Sequence, residues 1–151
     1  MTYCPICGCV LNEKNKGNEY YKYYYGKEVC CHCEKVIKKI NNFNKKSRRR
    51  FAKKNLRKNF EKMTLQKFYE LNKFFGGNKT TFVSAVTGRE LGFEDMSFDH
   101  IIPICKGGTN NIHNIIIIER YINDSKDDKD IEELHLPKDK LRKINEWQSM
   151  K

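Results

Sequence analysis

Apolar residues recur along this chain with two different periods, and the change from one to the other marks its parts. Phe51, Leu56, Phe60, Met63, Phe68, Leu71 and Phe75 follow one another at mostly three-, four- and five-residue steps, which lines one face of a helix. The stripe predicts an amphipathic helix broken near Thr64, whose hydroxyl can cap a second segment from Leu65 to Phe75 that Gly76-Gly77 stops. Ser97 to Ile102 is rich in β-branched and aromatic residues, and Ile115 to Ile118 is an unbroken apolar run. Both predict short strands, with the Gly- and Asn-containing stretch Lys106 to Asn111 as the loop between them. From Glu119 a short helix is expected with Tyr121, Ile122 and Ser125 facing inward. Pro137 suits the first turn of a last helix, in which Leu141, Ile144 and Trp147 share a face. The aromatic stripe reads as core rather than as a platform for stacking bases.

Length and charge change the picture. At 151 residues the chain holds one ordinary domain, or two small ones and a connector. Its net charge of +11 is uneven: residues 1 to 80 carry 20 Lys+Arg against 6 Asp+Glu, while residues 81 to 151 carry 10 against 13. Most of the excess lies between Lys35 and Lys62, including Lys45, Lys46, Arg48, Arg49, Arg50, Lys53, Lys54, Arg57 and Lys58. Phosphates are its natural partner, because neutralising each one releases counterions. A solvated helix or a disordered basic arm is the plainer reading. A charge run positions a protein on nucleic acid without reading bases. The tyrosines at 20, 21, 23, 24 and 25 divide evenly between packing and stacking on bases or sugars. No transmembrane stretch or secretory signal is legible, so the expectation is a soluble, intracellular (cytoplasmic) protein with no membrane partner. The Lys, Asn, Ile and Tyr content fits an AT-rich coding genome, as in a phage or mobile element.

The seven cysteines carry the first candidate chemistry. Cys4 and Cys7 form a Cys-Pro-Ile-Cys-Gly turn, and Cys30 and Cys33 are a second pair with the same spacing. Four thiolates so arranged suit tetrahedral Zn²⁺ in a closed, structural site. Cys9, Cys31 and His32 compete as ligands, with His32 the main rival. A β-hairpin around Gly17 and Gly26 is expected to fill the long intervening stretch. Disulfides are the alternative, disfavoured by the odd cysteine count and the lack of a secretory signal. Cys105 reads as a neutral loop thiol, His113 as a surface histidine, and His135 as a linker residue.

The second chemistry lies between Phe98 and Lys126, in the run FDHIIPICKGGTNNIHNIIIIERYINDSK. Phosphodiester hydrolysis needs a base for a water proton and a Lewis acid for the charge on oxygen. Histidine titrates near neutrality, and Asp99 beside it offers a hard anionic oxygen. On a strand the two side chains would point to opposite faces unless the backbone bends. The run resembles the ββα-metal module of the HNH endonuclease family, in its His-Asn-Asn variant: Asp-His-Ile-Ile-Pro, then Gly-Gly-Thr-Asn, then Asn114, then Asn123 with Lys126 behind it. The resemblance covers about a fifth of the chain.

That resemblance implies His100 as general base, Asp99 and Asn123 as ligands of Mg²⁺ or Mn²⁺, and Asn114 as the residue holding the loop that orients His100. Asp127, one helical turn past Asn123, is a further candidate ligand, or part of a solvated acidic face. Lys126 reads equally as a phosphate contact or an exposed helical lysine. Many members carry a second zinc inside the module; the matching places hold Ser84, Thr87, Glu119 and Ile122, so packing by Phe82, Val86, Leu91, Phe93 and the isoleucines is expected instead. The expected architecture is α+β: a zinc-ribbon-like domain over 1–40, a basic helical connector over 41–77, and an HNH nuclease domain with a C-terminal helix over 78–151. The expected activity is metal-dependent DNA endonuclease, with structural Zn²⁺ and a homodimer allowed. The alternative is a zinc-ribbon DNA-binding protein whose HNH module is an inactive scaffold.

Overall fold

The computed structural model describes residues 1–17, 28–126 and 129–150. Among them the chain is mixed α+β, with four α-helices and two small antiparallel sheets. It divides into two compact units, Met1–Asn42 and Phe43–Lys151. No helix among the described residues is long and apolar enough to cross a membrane.

In the first unit, Tyr3 and Val10 pair across a tight turn, in which the Gly8 N–H donates to the Cys4 carbonyl at 2.9 Å. Gly8 sits at φ +81°, a conformation that disfavours other residues there. Helix α1 (Cys31–Lys53) begins beside the second cysteine pair, and the unit boundary falls within it. Its first turns bury Cys33, Val36, Ile37 and Ile40. The expected hairpin around Gly17 and Gly26, and the tyrosines from 20 to 25, lie outside the described residues, apart from Gly17 itself.

The second unit holds the rest of α1, whose apolar stripe ends sooner than expected. The helix stops at Lys53, Asn55 takes φ +56°, and the chain crosses a 3-10 turn (Arg57–Asn59) before α2 (Leu65–Phe74). Phe51 and Met63 are still buried, because apolar spacing reports the need for burial and not the backbone path between buried points. Thr64 caps α2, accepting from the Lys67 N–H at 3.2 Å, and Gly76 follows at φ +99°.

Strands β1 (Phe82–Val83) and β2 (Glu90–Leu91) form one small sheet. The site is built on the other, where β3 (Met96–His100) pairs antiparallel with β4 (Ile115–Glu119), placing Asp99 opposite Ile116 and His100 opposite Ile115. All of β4 is buried, which fits its unbroken apolar run. The Ala85 N–H donates to the Ile117 carbonyl at 2.8 Å. Phe68 of α2 meets Phe82 and Phe98 with ring centroids 5.8 Å apart. Helix α4 (Lys138–Ser149) buries Ile144 and Trp147, and the Trp147 indole donates to the Ile112 and Ile115 carbonyls at 3.0 and 3.1 Å.

Two expectations need correction. Helix α3 (Arg120–Lys126) does not turn Tyr121 and Ser125 inward: both are exposed, whereas Lys126 is fully buried. Apolar packing of the hairpin is supplemented by a polar clasp. Ser84 Oγ donates to Glu119 Oε2 at 2.7 Å, Thr87 Oγ1 donates to Glu119 Oε1, and Glu119 is buried. A carboxylate and two hydroxyls thus tie the hairpin turn to the end of β4.

Candidate functional site

Strand alternation distributes the candidate residues. Ser97 and Asp99 face α3, whereas Phe98 and His100 turn toward α1, where Phe43 lies 5.0 Å from the Phe98 ring and 5.7 Å from the His100 ring. Phe51 meets the His100 ring edge-on at 6.3 Å. Asp99 and His100 are 8% and 5% exposed, so the adjacent carboxylate and imidazole sit on the two faces of one strand end.

On the α3 side, Asn123 donates through Nδ2 to Ser97 Oγ at 2.7 Å and to the Phe98 carbonyl at 3.3 Å. Among the described residues none donates a hydrogen bond to its Oδ1, which could serve as a ligand oxygen. Lys126 Nζ lies 2.9 Å from Asp99 Oδ2 and donates to the His100 carbonyl at 3.2 Å. Lys126 is thus ion-paired with Asp99 at a buried position. Burial pushes the Asp99 pKa up, and the Lys126 charge holds it down in part. A carboxylate and an amide oxygen are the hard donors that a divalent cation takes, and here the Lys126 ammonium stands against the carboxylate. Asp127 lies outside the described residues.

On the other side, His100 Nε2 is 2.7 Å from Asn110 Oδ1. Burial lowers the His100 pKa to about 4; the Asn110 hydrogen bond opposes this, and the charges of Arg50 and Lys126 add to it. The imidazole is therefore neutral at pH 7. Asn114 closes the loop between the strands: Oδ1 accepts from the Ile102 N–H at 2.9 Å, and Nδ2 donates to the Ile102 and Thr109 carbonyls at 3.1 and 2.8 Å. Gly108 has to be glycine there, because a Cβ would lie 1.8 Å from the Ile102 carbonyl oxygen. His113 meets Trp147 with ring centroids 4.3 Å apart, its Nδ1 3.0 Å from the Trp147 carbonyl.

The depressed His100 pKa has a consequence for stability. As pH falls below the usual histidine value of 6.5, the unfolded chain takes a proton that the folded chain refuses until about pH 4. Stability is thus fully present above pH 7 and falls by about 3 kcal/mol across that window. Asp99, its pKa raised, acts in the opposite sense, since the folded state gains its proton first on acidification. Urea denaturation of wild type and His100→Gln at pH 7 and pH 5 isolates the histidine contribution. Wild type should lose more stability than the variant on going to pH 5; a smaller loss would contradict the buried neutral imidazole.

Arg48, Arg49, Arg50, Lys53, Lys54, Arg57 and Lys58 are all exposed. Arg48 packs its guanidinium over the Phe60 ring at 5.0 Å, and Arg50 reaches the site through its charge on Asp99 and His100.

The first unit holds a separate cluster. The ligand atoms of Cys4, Cys7, Cys30 and Cys33 lie within 4.8 Å of one another, and they could hold a structural metal such as Zn²⁺. Cys7 and Cys30 Sγ are 3.7 Å apart, close to the edge of about 3.8 Å of a tetrahedron with Zn–S arms of about 2.3 Å. Backbone N–H groups aim at the sulfurs, Cys30 at Cys4 Sγ and Cys33 at Cys30 Sγ, both at 3.4 Å. Burial acts to raise the Cys4 pKa, but N–H groups of Cys7, Cys30 and Ile6 outweigh it and bring the thiol down to about 7. Burial pushes Cys30 and Cys33 up, and Cys9, beside the cluster but not in it, to about 12. Crowded thiols of this kind deprotonate together when a cation offsets their repulsion. Cys31 and His32 are also outside the group.

No family model, curated protein or solved structure matches the chain. Sequence reasoning placed Asn110 in the Gly-Gly-Thr-Asn run without giving it a role, and read Lys126 as exposed or as a phosphate contact. Both act through backbone carbonyls and a neighbouring strand, which leave no local signature.

Proposed function

We propose that the chain is a metal-dependent endonuclease of the HNH type that hydrolyses DNA, with His100 as general base. The observation that carries this reading is the strand end, where a neutral buried imidazole and, on the other face, a buried carboxylate belong to adjacent residues, with Asn123 anchored to the strand on the carboxylate's side. Asp99 and Asn123 would hold Mg²⁺ or Mn²⁺, which when bound offsets charge on the phosphoryl and leaving oxygens. His100 takes a proton from water as the water oxygen bonds to phosphorus. The P–O3′ bond breaks, its electron pair leaves on O3′, and O3′ takes a proton from solvent, giving 5′-phosphate and 3′-hydroxyl ends. Asn114 holds the loop through which the strand leaves His100.

Incubating supercoiled plasmid with the protein and Mg²⁺ or Mn²⁺ tests this: relaxed or linear product is expected, and none with EDTA. A second reading, a nucleic-acid-binding scaffold that cuts nothing, is favoured by Lys126 already neutralising Asp99 and by the phenylalanines over His100. Retained binding without cleavage would favour it.

The basic face is assigned to phosphate contact. Replacing Arg48, Arg49 and Arg50 with Ala should weaken DNA binding and reduce the slope of log K against log salt by about 0.9 for each phosphate that is no longer neutralised. An unchanged slope, read by fluorescence anisotropy at several salt concentrations, would remove these arginines from the interface. Zinc is assigned to the four thiols. One equivalent per chain is expected by elemental analysis, and none in a Cys4→Ser, Cys7→Ser variant; a metal-free wild type purified without chelator would count against it.

A further inference from the structure

Asn110 is the least exposed polar residue of the loop between β3 and β4, at 1%, and its backbone N–H and both side-chain polar atoms are committed. Its N–H donates to the Asn59 carbonyl at 2.9 Å. Its side-chain Nδ2 donates to the Glu61 carbonyl at 2.7 Å, and neighbouring Asn111 Nδ2 reaches Glu61 Oε2 at 3.0 Å. The loop is therefore docked on the end of the 3-10 turn and the residues just after it, and Asn110 Oδ1 faces His100 Nε2 at 2.7 Å.

The direction of that last bond follows from the others. A backbone carbonyl only accepts, so the amide atom facing Glu61 must be the nitrogen, and the atom facing His100 must be the oxygen. An amide oxygen also only accepts. The proton between Oδ1 and Nε2 must then belong to Nε2, because the opposite tautomer would place two lone pairs face to face at a buried position. A neutral imidazole carries one N–H, so Nδ1 keeps its lone pair. Among the described residues, none makes a hydrogen bond to it.

We infer that Asn110 is a positioning residue that locks His100 in the Nε2–H tautomer, so that Nδ1 is the atom that receives the water proton. The second half of this rests on the nuclease reading; the first does not. The proton passes from water to Nδ1 as the water oxygen bonds to phosphorus and the P–O3′ pair departs with O3′. Neither Asn114 nor Asn123 makes a hydrogen bond to the ring, so orientation of the base falls to an asparagine four residues ahead of Asn114 in the chain. Asn59 and Glu61 hold Asn110 itself through backbone carbonyls, and the Glu61 carboxylate adds a separate contact to Asn111.

The test is a long-range ¹H–¹⁵N spectrum of the ¹⁵N-labelled full chain at neutral pH, with the His100 signals assigned by their loss in His100→Gln. Wild type should show protonated Nε2 and bare Nδ1. Asn110→Leu, which removes the acceptor, should shift His100 toward a mixture of tautomers and lower kcat for plasmid cleavage by about 10- to 100-fold with KM little changed. Asn110→Asp, which keeps an oxygen facing Nε2, should retain the wild-type tautomer. A wild-type spectrum with Nδ1 protonated would overturn the inference without need of any variant. So would an Asn110→Leu protein that keeps both tautomer and kcat. A wild type with the expected tautomer that cuts no DNA would leave the lock in place and remove the nuclease reading alone.

Discussion

Replacing His100 with Ala should lower the rate of DNA cleavage by about 10²- to 10⁴-fold, the range that general-base catalysis contributes. The ring is neutral at working pH because burial and the nearby charges of Arg50 and Lys126 disfavour its protonation. A base with so low a pKa is fully unprotonated above about pH 5, so the acid limb of the rate profile should lie well below that of an ordinary histidine. The effect should fall on kcat, since DNA binding is assigned to the exposed basic residues from Arg48 to Lys58. Plasmid cleavage and anisotropy on the same preparation separate the two. Loss of binding with an unchanged rate at saturation would mean that His100 serves the fold or the interface and not the chemistry.

Replacing Lys126 with Met should destabilise the second unit by about 3–5 kcal/mol, the usual cost of breaking a buried ion pair on one side. Lys126 is fully buried, and its ammonium is shared between Asp99 Oδ2 and the His100 carbonyl. Without it the Asp99 carboxyl, whose pKa burial already raises, must stay protonated or remain a lone buried charge. The sign is fixed by linkage: a carboxyl whose folded pKa lies above its unfolded value loses stability as pH rises, so the penalty should grow from pH 5 to pH 8. Adding Asp99→Asn removes the stranded charge and should recover much of the loss. Urea denaturation of the two single variants and the double variant measures this coupling. A mild Lys126→Met effect, or strictly additive losses, would show that the pair does not carry the packing of α3 on β3.

Local signals in the sequence were legible and longer-range ones were not. Thr64 at the start of α2, the Gly76 stop and the face of Ile144 and Trp147 are set by residues within a turn or two of each other, and they stand where the periodicity puts them. The four cysteines that the spacing pairs are the four that come together. The break at Lys53 was invisible because apolar steps continue across a non-helical segment. Lys126 misled for a different reason: on a short polar helix a lysine reads as solvated, and its burial is decided by Asp99 on another element. Asn110 stood in the Gly-Gly-Thr-Asn run, but its role was hidden because its partners at positions 59 and 61 are backbone carbonyls, which any residue supplies. The Ser84, Thr87 and Glu119 clasp is an intermediate case. These residues stood out as substitutes for the zinc ligands that the family resemblance implies, yet only their contacts reveal that they bond to each other.

The central claim, hydrolysis of DNA by water activated at His100, is tested most directly by cleavage in ¹⁸O-labelled water. Supercoiled plasmid is incubated with Mg²⁺ and either wild-type protein or His100→Ala, and the product ends are analysed by mass spectrometry. The expected result is cleavage by wild type, with the label on the 5′-phosphate, and little or no product from His100→Ala. Intact plasmid after incubation with folded, DNA-binding wild-type protein, or equal labelled product from both proteins, would contradict it.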